Sequence, residues 1–245
     1  MMCKHHMPND EDHLENQSVD IPQGCVILEA KEAKDKHLLL VHFVNHVNLI
    51  MIISSKQFNS RRHKIASKLS SIYFSEGSSE AMYLAADSAI EVVKRVANKG
   101  LDFVVAIVRP LSHHGKKHEA MGFCLLNNVH EFRSFYPTKD DEFYIINAPW
   151  ENERCGDADY FVFLVAKEFN LDIIIVSIGF DVVIGDPLGE CRVPQFGYFV
   201  RLEKLMNYVE GRIVLILEGG SNLDFISKSI HACLEVWTWI FCFVD

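Results

Sequence analysis

Residues 211–223 read GRIVLILEGGSNL. A glycine and an arginine precede the apolar run IVLIL, and Glu218, Gly219, Gly220 and Ser221 end it. The run, taken over 213–220, has no polar break until its last residues. It reads as a strand buried on both faces. Two other stretches have this character, FVVAIV at 103–108 and IIIVSIGF at 173–180.

Helical patterns lie between these runs. The first clear one spans about Ser79 to Ala97, with Ser78 and Ser79 as cap candidates, Glu80 in the first turn and Gly100 just past the end. Leu84, Ala85, Ala89, Val92, Val93 and Val96 give it one apolar face. Further helices are expected over about 157–169 and 197–210, the latter closed by Gly211, and from Leu223 onward. Alternating helices and β-branched strands predict an α/β fold whose parallel sheet is flanked by helices on both faces. Residues 1–25 read as a loop-like segment, and 26–245 as one domain.

In such sheets ligands sit beyond the carboxyl ends of the strands. His113 and His114 follow the first run, Asp181 the second, and Glu218 to Ser221 the third, so three strand ends converge on one site.

Composition narrows the classes. A chain of 245 residues, 49% hydrophobic and 23% charged, has an ordinary globular balance and enough length for one sizeable core. A net charge of −9 argues against direct nucleic-acid binding and suits basic partners. Seven widely spaced cysteines without a C-x-x-C predict no disulfide framework and a reducing intracellular compartment. The first 20 residues lack an apolar core, which predicts no signal peptide. The tail VWTWIFCFV (236–244) is too short to span a bilayer, so no membrane association is expected, and Trp237 and Trp239 read as packing residues.

Three ordered blocks resemble the histone deacetylases, class II, and look closest to the plant members. RPLSHHGKKHEAMGFCLLNNV (109–129) is similar to that family's R-P-P-G-H-H…M-G-F-C-x-x-N-N-V segment. VSIGFDVVIGDPLGECRVPQFGY (176–198) is similar to its S-A-G-F-D…G-D-P-L-G…P-x-G-Y block, and GRIVLILEGGSNL to its L-E-G-G-Y-N-L block. HMPNDEDHLEN and DKHLLLVHFVNHVNLI fit the start of the same domain.

The resemblance implies an arginase/deacetylase-like domain that hydrolyses acetyl-lysine with one Zn2+. It implies as partners acetylated histone tails or other acetyl-lysine proteins, and chromatin co-repressor complexes, in nucleus or cytoplasm. His113 and His114 match the paired histidines that orient and deprotonate water and protonate the leaving amine. Gly122 and Phe123 match residues lining the acetyl-lysine channel, and Asp181 matches one zinc-ligating aspartate. Ser221 stands where the family has the tyrosine that polarises the substrate carbonyl.

Other departures are Leu111 and Ser112, the latter in place of a glycine. A side chain there costs on the order of 1 kcal/mol if the glycine serves an unusual backbone angle. The largest departure is an internal deletion of about sixty residues against the family pattern, where Asn127-Asn128-Val129 runs through HEFR into SFYP (134–137). The missing stretch carries D-W-D-V-H-H-G-N-G-T, which supplies the second aspartate ligand, the histidine ligand and the acidic partners of the histidine pair. A shorter glycine-rich piece before NAPW (147–150) is missing too.

The only other D-x-H is Asp35-Lys36-His37, which the domain's N-terminal segment already accounts for. His130 reads as the start of the rejoined loop, Lys116, Lys117 and His118 as a solvated basic loop, and Cys3, His5 and His6 as adventitious metal binders at most. Three outcomes stay open: an active zinc deacetylase with ligands supplied otherwise, a non-catalytic pseudoenzyme that binds partners, and a truncated splice product or gene model.

Overall fold

The computed structural model describes residues 27–54, 59–128, 167, 171–188 and 193–241. The segment 1–25, most of the helix expected over 157–169, His130, the junction beyond Asn128 and the side chains of Trp237 and Trp239 lie outside them.

Among the described residues nine elements follow one another. They are α1 (Asp35–Leu38), α2 (Val44–Ile53), α3 (Asn59–Ala66), α4 (Ser78–Ala97), β1 (Phe103–Ala106), β2 (Ile174–Gly179), α5 (Gln195–Met206), β3 (Ile213–Gly219) and α6 (Leu223–Phe241). The three strands form a parallel sheet in the order β1-β3-β2. Phe103 and Ile174 both lie in register with Ile213.

β3 is the centre of the sheet, and all seven of its residues are buried. Alternation sends Ile213, Leu215 and Leu217 to one face and Val214 and Ile216 to the other. The first set packs with α5 and α6 through Tyr198, Leu202, Met206, Ile226, Ile230, Cys233 and Val236. The second packs under α4, through Ala85, Ala89, Val92, Val93 and Val96. Burying a residue of this size contributes roughly 1.5–3 kcal/mol, so β3 is the main anchor of the fold. The unbroken apolar run therefore means what it predicted, a strand with helices on both sides.

Several boundaries differ from expectation. α4 starts at Ser78, and its N-cap is Gly77 in the left-handed region (φ 87°) rather than a serine side chain. The Ser78 hydroxyl instead accepts the Ser75 amide, while the Ser79 amide donates to Ser54 Oγ at the end of α2. Leu84 is only half-buried, because α4 is gripped on two sides: Met82, Tyr83 and Ala86 turn toward α2 and Leu126. α5 stops at Met206, ahead of a turn through Glu210 and Gly211, both at positive φ.

Among the described residues three helices precede α4, which the periodicity did not reveal. α2, VNHVNLIMII, has Asn45, His46 and Asn48 gathered in its first half and apolar residues filling its second, so no amphipathic rhythm marks it. Asp35, from the stray D-x-H, accepts a hydrogen bond from the Tyr83 hydroxyl at 2.7 Å, a packing contact.

Candidate active site

The carboxyl ends of all three strands point the same way, and the predicted residues gather there. After β1 the chain turns through Ser112 to Gly115, and the rings of His113 and His114 stand 3.9 Å apart, tilted by 46°. Both are exposed at the rim.

The group that holds His113 is one the motifs did not single out. Glu218, at the end of β3, is 1% exposed. Its Oε2 accepts the Ser112 amide at 2.8 Å, the His113 amide at 3.2 Å and His113 Nδ1 at 3.2 Å. Its Oε1 accepts the hydroxyls of Ser112 at 2.7 Å and of Ser177, on β2, at 3.1 Å. Burial would push this carboxyl up, but the bonds from His113 and Ser112 outweigh it and hold the group below its ordinary value. One carboxylate thus ties together the exit of β1, the body of β2 and the end of β3. The LEGG motif contained the residue; its role needed a partner about a hundred positions away.

Ser112 does not carry the cost foreseen for it. It is not among the described non-glycine residues at positive φ. It is buried, and its hydroxyl reaches Glu218 at 2.7 Å. The side chain that replaced a glycine has become part of the support.

A second layer lies behind the histidine turn. Asn127 Nδ2 donates to the carbonyls of Gly115 at 3.0 Å and His113 at 3.3 Å. The Asn127 amide donates to His42 Nε2 at 2.9 Å, so His42 carries its proton on Nδ1 and gives it to the Lys116 carbonyl at 3.0 Å. His46 Nε2 donates to the Leu125 carbonyl at 2.8 Å. Burial lowers the pKa of His46, against the pull of that carbonyl and of Glu119. His42 and His46 were legible only as part of an N-terminal block. Lys116, Lys117 and His118 are exposed as expected, with Lys116 paired to Glu119 and His118 stacked on Phe43.

Gly122 and Phe123 form a turn at positive φ (55° and 64°) beside the histidines. A Cβ on Gly122 would stand 2.9 Å from the His114 ring, so only glycine lets the turn close on it. Phe123 is 60% exposed at the same rim. Burial and the neighbouring His113 hold His114 below its ordinary pKa, while Glu218 and Asp181 pull it up. Cys124 beneath is pushed up to about 11 by burial, and its sulfur accepts the His114 amide at 3.4 Å.

Asp181 follows β2 and is exposed at the top of the sheet. Its carboxylate lies over two glycines. A Cβ would come within 2.6 Å of it from Gly179 and 2.8 Å from Gly219. Both strand ends must be bare for it to sit there. Five residues on, Asp186 is buried, and accepts the amides of Ser221 at 2.6 Å, Asn222 at 3.3 Å and Leu188 at 2.9 Å. It holds the loop that carries Ser221, and Ser221 itself is exposed.

These residues do not fit a catalytic zinc, which takes three protein ligands and leaves a fourth position open. Among the described residues no group of three or more His, Cys, Asp or Glu side chains could hold a metal ion. Asp181 is a single carboxylate, and the nearest other acids, Glu218 and Asp186, are each saturated by protein donors.

The histone deacetylase domain, as a family model, matches residues 5–131 and 129–237. The two matched pieces overlap at 129–131, where the resemblance leads one to expect about sixty residues of the family pattern to be missing. Histone deacetylase 5 of Arabidopsis thaliana is 42% identical over 312 residues, covering 96% of this chain and 47% of that protein. Since 96% of 245 residues is about 235, about 77 of those 312 aligned positions carry no residue of this chain. Histone deacetylase 18 of the same plant is 42% identical over 96% of this chain and 46% of its own length. The crystal structure of the HDA15 HD domain superposes with a TM-score of 0.70 at 26% identity, covering 88% of this chain and 76% of that one. The chain spans about half the length of the curated relatives it matches.

Proposed function

The chain belongs to the histone deacetylase family, and from that premise we propose that it is a catalytically impaired, class II type member that keeps the acid-base half of a lysine deacetylase site. The single observation behind this reading is the imbalance of the site. His113 is held by Glu218 and Asn127 and the His114 amide by Cys124 Sγ, whereas Asp181 is the one family ligand position among the described residues.

In a complete family member zinc would activate water and polarise the acetyl group. Here the histidines can accept and return protons, and Gly122 and Phe123 offer a surface to an acyl-lysine side chain. The tyrosine's contribution is also missing, and one such donor is typically worth about 10²–10³ in rate. The substrates are acetylated histone tails or other acetyl-lysine proteins, and the setting is chromatin regulation in nucleus or cytoplasm.

The test is metal content of the purified chain alongside release of acetate from acetyl-lysine peptides. Expected are less than one zinc per chain and turnover at least about 10²-fold below a complete member. Ser221→Tyr alone is expected not to restore it. One zinc per chain with chelator-sensitive turnover overturns the reading.

A second reading, a pseudoenzyme that acts by binding partners such as co-repressor subunits, is favoured by α2. Val44, Leu49, Met51 and Ile52 on this helix, and Phe43 just before it, are apolar and exposed. It predicts association that Met51→Glu disrupts and His114→Ala does not. The reverse pattern sinks it.

A further inference from the structure

The family pattern places the acidic partners of the histidine pair in the segment this chain lacks, yet His113 is not left without one. We infer that Glu218 is the positioning residue of His113: through Oε2 it holds the Nδ1–H tautomer and leaves Nε2 as the free basic nitrogen at the rim of the site.

Three observations carry this. A carboxylate can only accept, so the 3.2 Å contact with His113 Nδ1 places the ring proton there. The same oxygen takes the His113 amide at 3.2 Å, so ring and backbone are pinned by one atom and the ring cannot turn away without giving up its partner. Glu218 is itself immobilised, since it is 1% exposed and its other oxygen is filled by the Ser112 and Ser177 hydroxyls. The His113 side chain is 37% exposed, so the nitrogen that is not bonded has access to ligand and solvent.

Ser112 gains a purpose from this arrangement. Its hydroxyl fills the Oε1 side at 2.7 Å and its amide the Oε2 side at 2.8 Å, so it orients the carboxylate toward His113. The replacement that looked like decay supports a carboxylate–histidine pair built from the turn after β1, with β2 and β3. The pair is independent of the missing strand and of zinc. The inference does not depend on turnover, and it holds or fails whether or not the chain hydrolyses acetyl-lysine.

A merely structural carboxylate, one that only caps the 112–113 amides, leaves the ring tautomer to its solution preference. The test is therefore the tautomer. The full chain is labelled with 15N-histidine, and long-range 1H–15N spectra are recorded near neutral pH, with His113 assigned by loss of its signals in His113→Gln. Expected is a ring whose neutral form carries its proton on Nδ1 in the wild type and in Ser177→Ala. In Glu218→Ala the ring shifts toward the Nε2–H form that free histidine prefers. A wild-type ring protonated on Nε2 overturns the proposal by itself, even if Glu218→Ala fails to fold. So does a folded Glu218→Ala protein with an unchanged His113.

Discussion

His113 and Asp181 follow the two strands that flank β3, at the same edge of the sheet, but they are held in different ways. His113 is fixed by a buried carboxylate, two serines and an asparagine, drawn from β1, β2, β3 and the loop at 127. Asp181 has the bare backbones of Gly179 and Gly219 beneath it, and the buried acid nearby, Asp186, is occupied with its own loop. The histidine half is closed on itself. On the proposed reading the aspartate half depends on ligands from other segments of the family domain, so losing such a segment leaves the first half standing and strands the second. Each prediction below presses on one half to see whether it behaves that way.

The largest effect is expected at Glu218. Glu218→Ala strips the acceptor from the Ser112 amide and hydroxyl and the His113 amide, and Ser112 is 1% exposed. A bond to a charged group is worth about 1.5–3 kcal/mol, and a buried donor left unmet costs about 1–3 kcal/mol. A loss of about 3 kcal/mol or more in urea unfolding is expected. A loss below about 1 kcal/mol would mean that the turn at 112–114 is held by something else.

Next comes Gly122→Ala. The residue sits at φ 55°, and a Cβ there would stand 2.9 Å from the His114 ring. Backbone strain of this kind costs of order 1–3 kcal/mol. The ring must also move, so the His114 resonances should shift in NMR while those of His42 stay put. Unmoved His114 signals would show that the turn and the ring are not in contact in solution.

How far this was readable beforehand follows from the same contrast. β3 and its two-sided burial are written in IVLIL, since five consecutive apolar residues leave no solvent face. The family motifs carried His113, His114 and Asp181. Glu218 as a partner of His113 was not readable, because the pairing spans 105 positions and exists only once β1 and β3 are neighbours. α2 was missed for a different reason: in VNHVNLIMII the polar Asn45, His46 and Asn48 gather in the first half and apolar residues fill the second, so no helical period stands out. The cap of α4 was misassigned because the N-cap is Gly77, and Ser54, just past the end of α2, accepts the Ser79 amide.

A smaller effect, spread over pH, is expected behind the histidine half. Burial lowers the pKa of His46, so the folded state binds its proton less readily than the unfolded state. Above about pH 6.5 neither state is protonated and nothing is lost. As pH falls below that value the unfolded chain takes up the proton first, and stability declines until the folded pKa is passed. His37 and His114 shift in the same direction. Glu218, lowered instead, contributes stability that is lost only below about pH 4.5, so the two windows separate. His46→Gln, which keeps an N–H for the Leu125 carbonyl, should flatten the fall in midpoint between pH 7 and 5 without removing it. An unchanged slope would mean that His46 is not shielded from solvent.

The smallest effect is expected where the family's chemistry would have placed the largest. Asp181→Asn keeps the size of the side chain and removes its charge. The group is exposed and lies above two glycines. Surface changes of this kind stay within about 0.5 kcal/mol. In a complete zinc site the same change would remove a metal ligand, and metal affinity and thermal stability would fall together. For this chain the unfolding midpoint should be the same with and without added zinc, in both wild type and Asp181→Asn. A zinc-dependent rise in the wild type that Asp181→Asn abolishes would show that the aspartate half has found other ligands, and the contrast between the two halves would collapse.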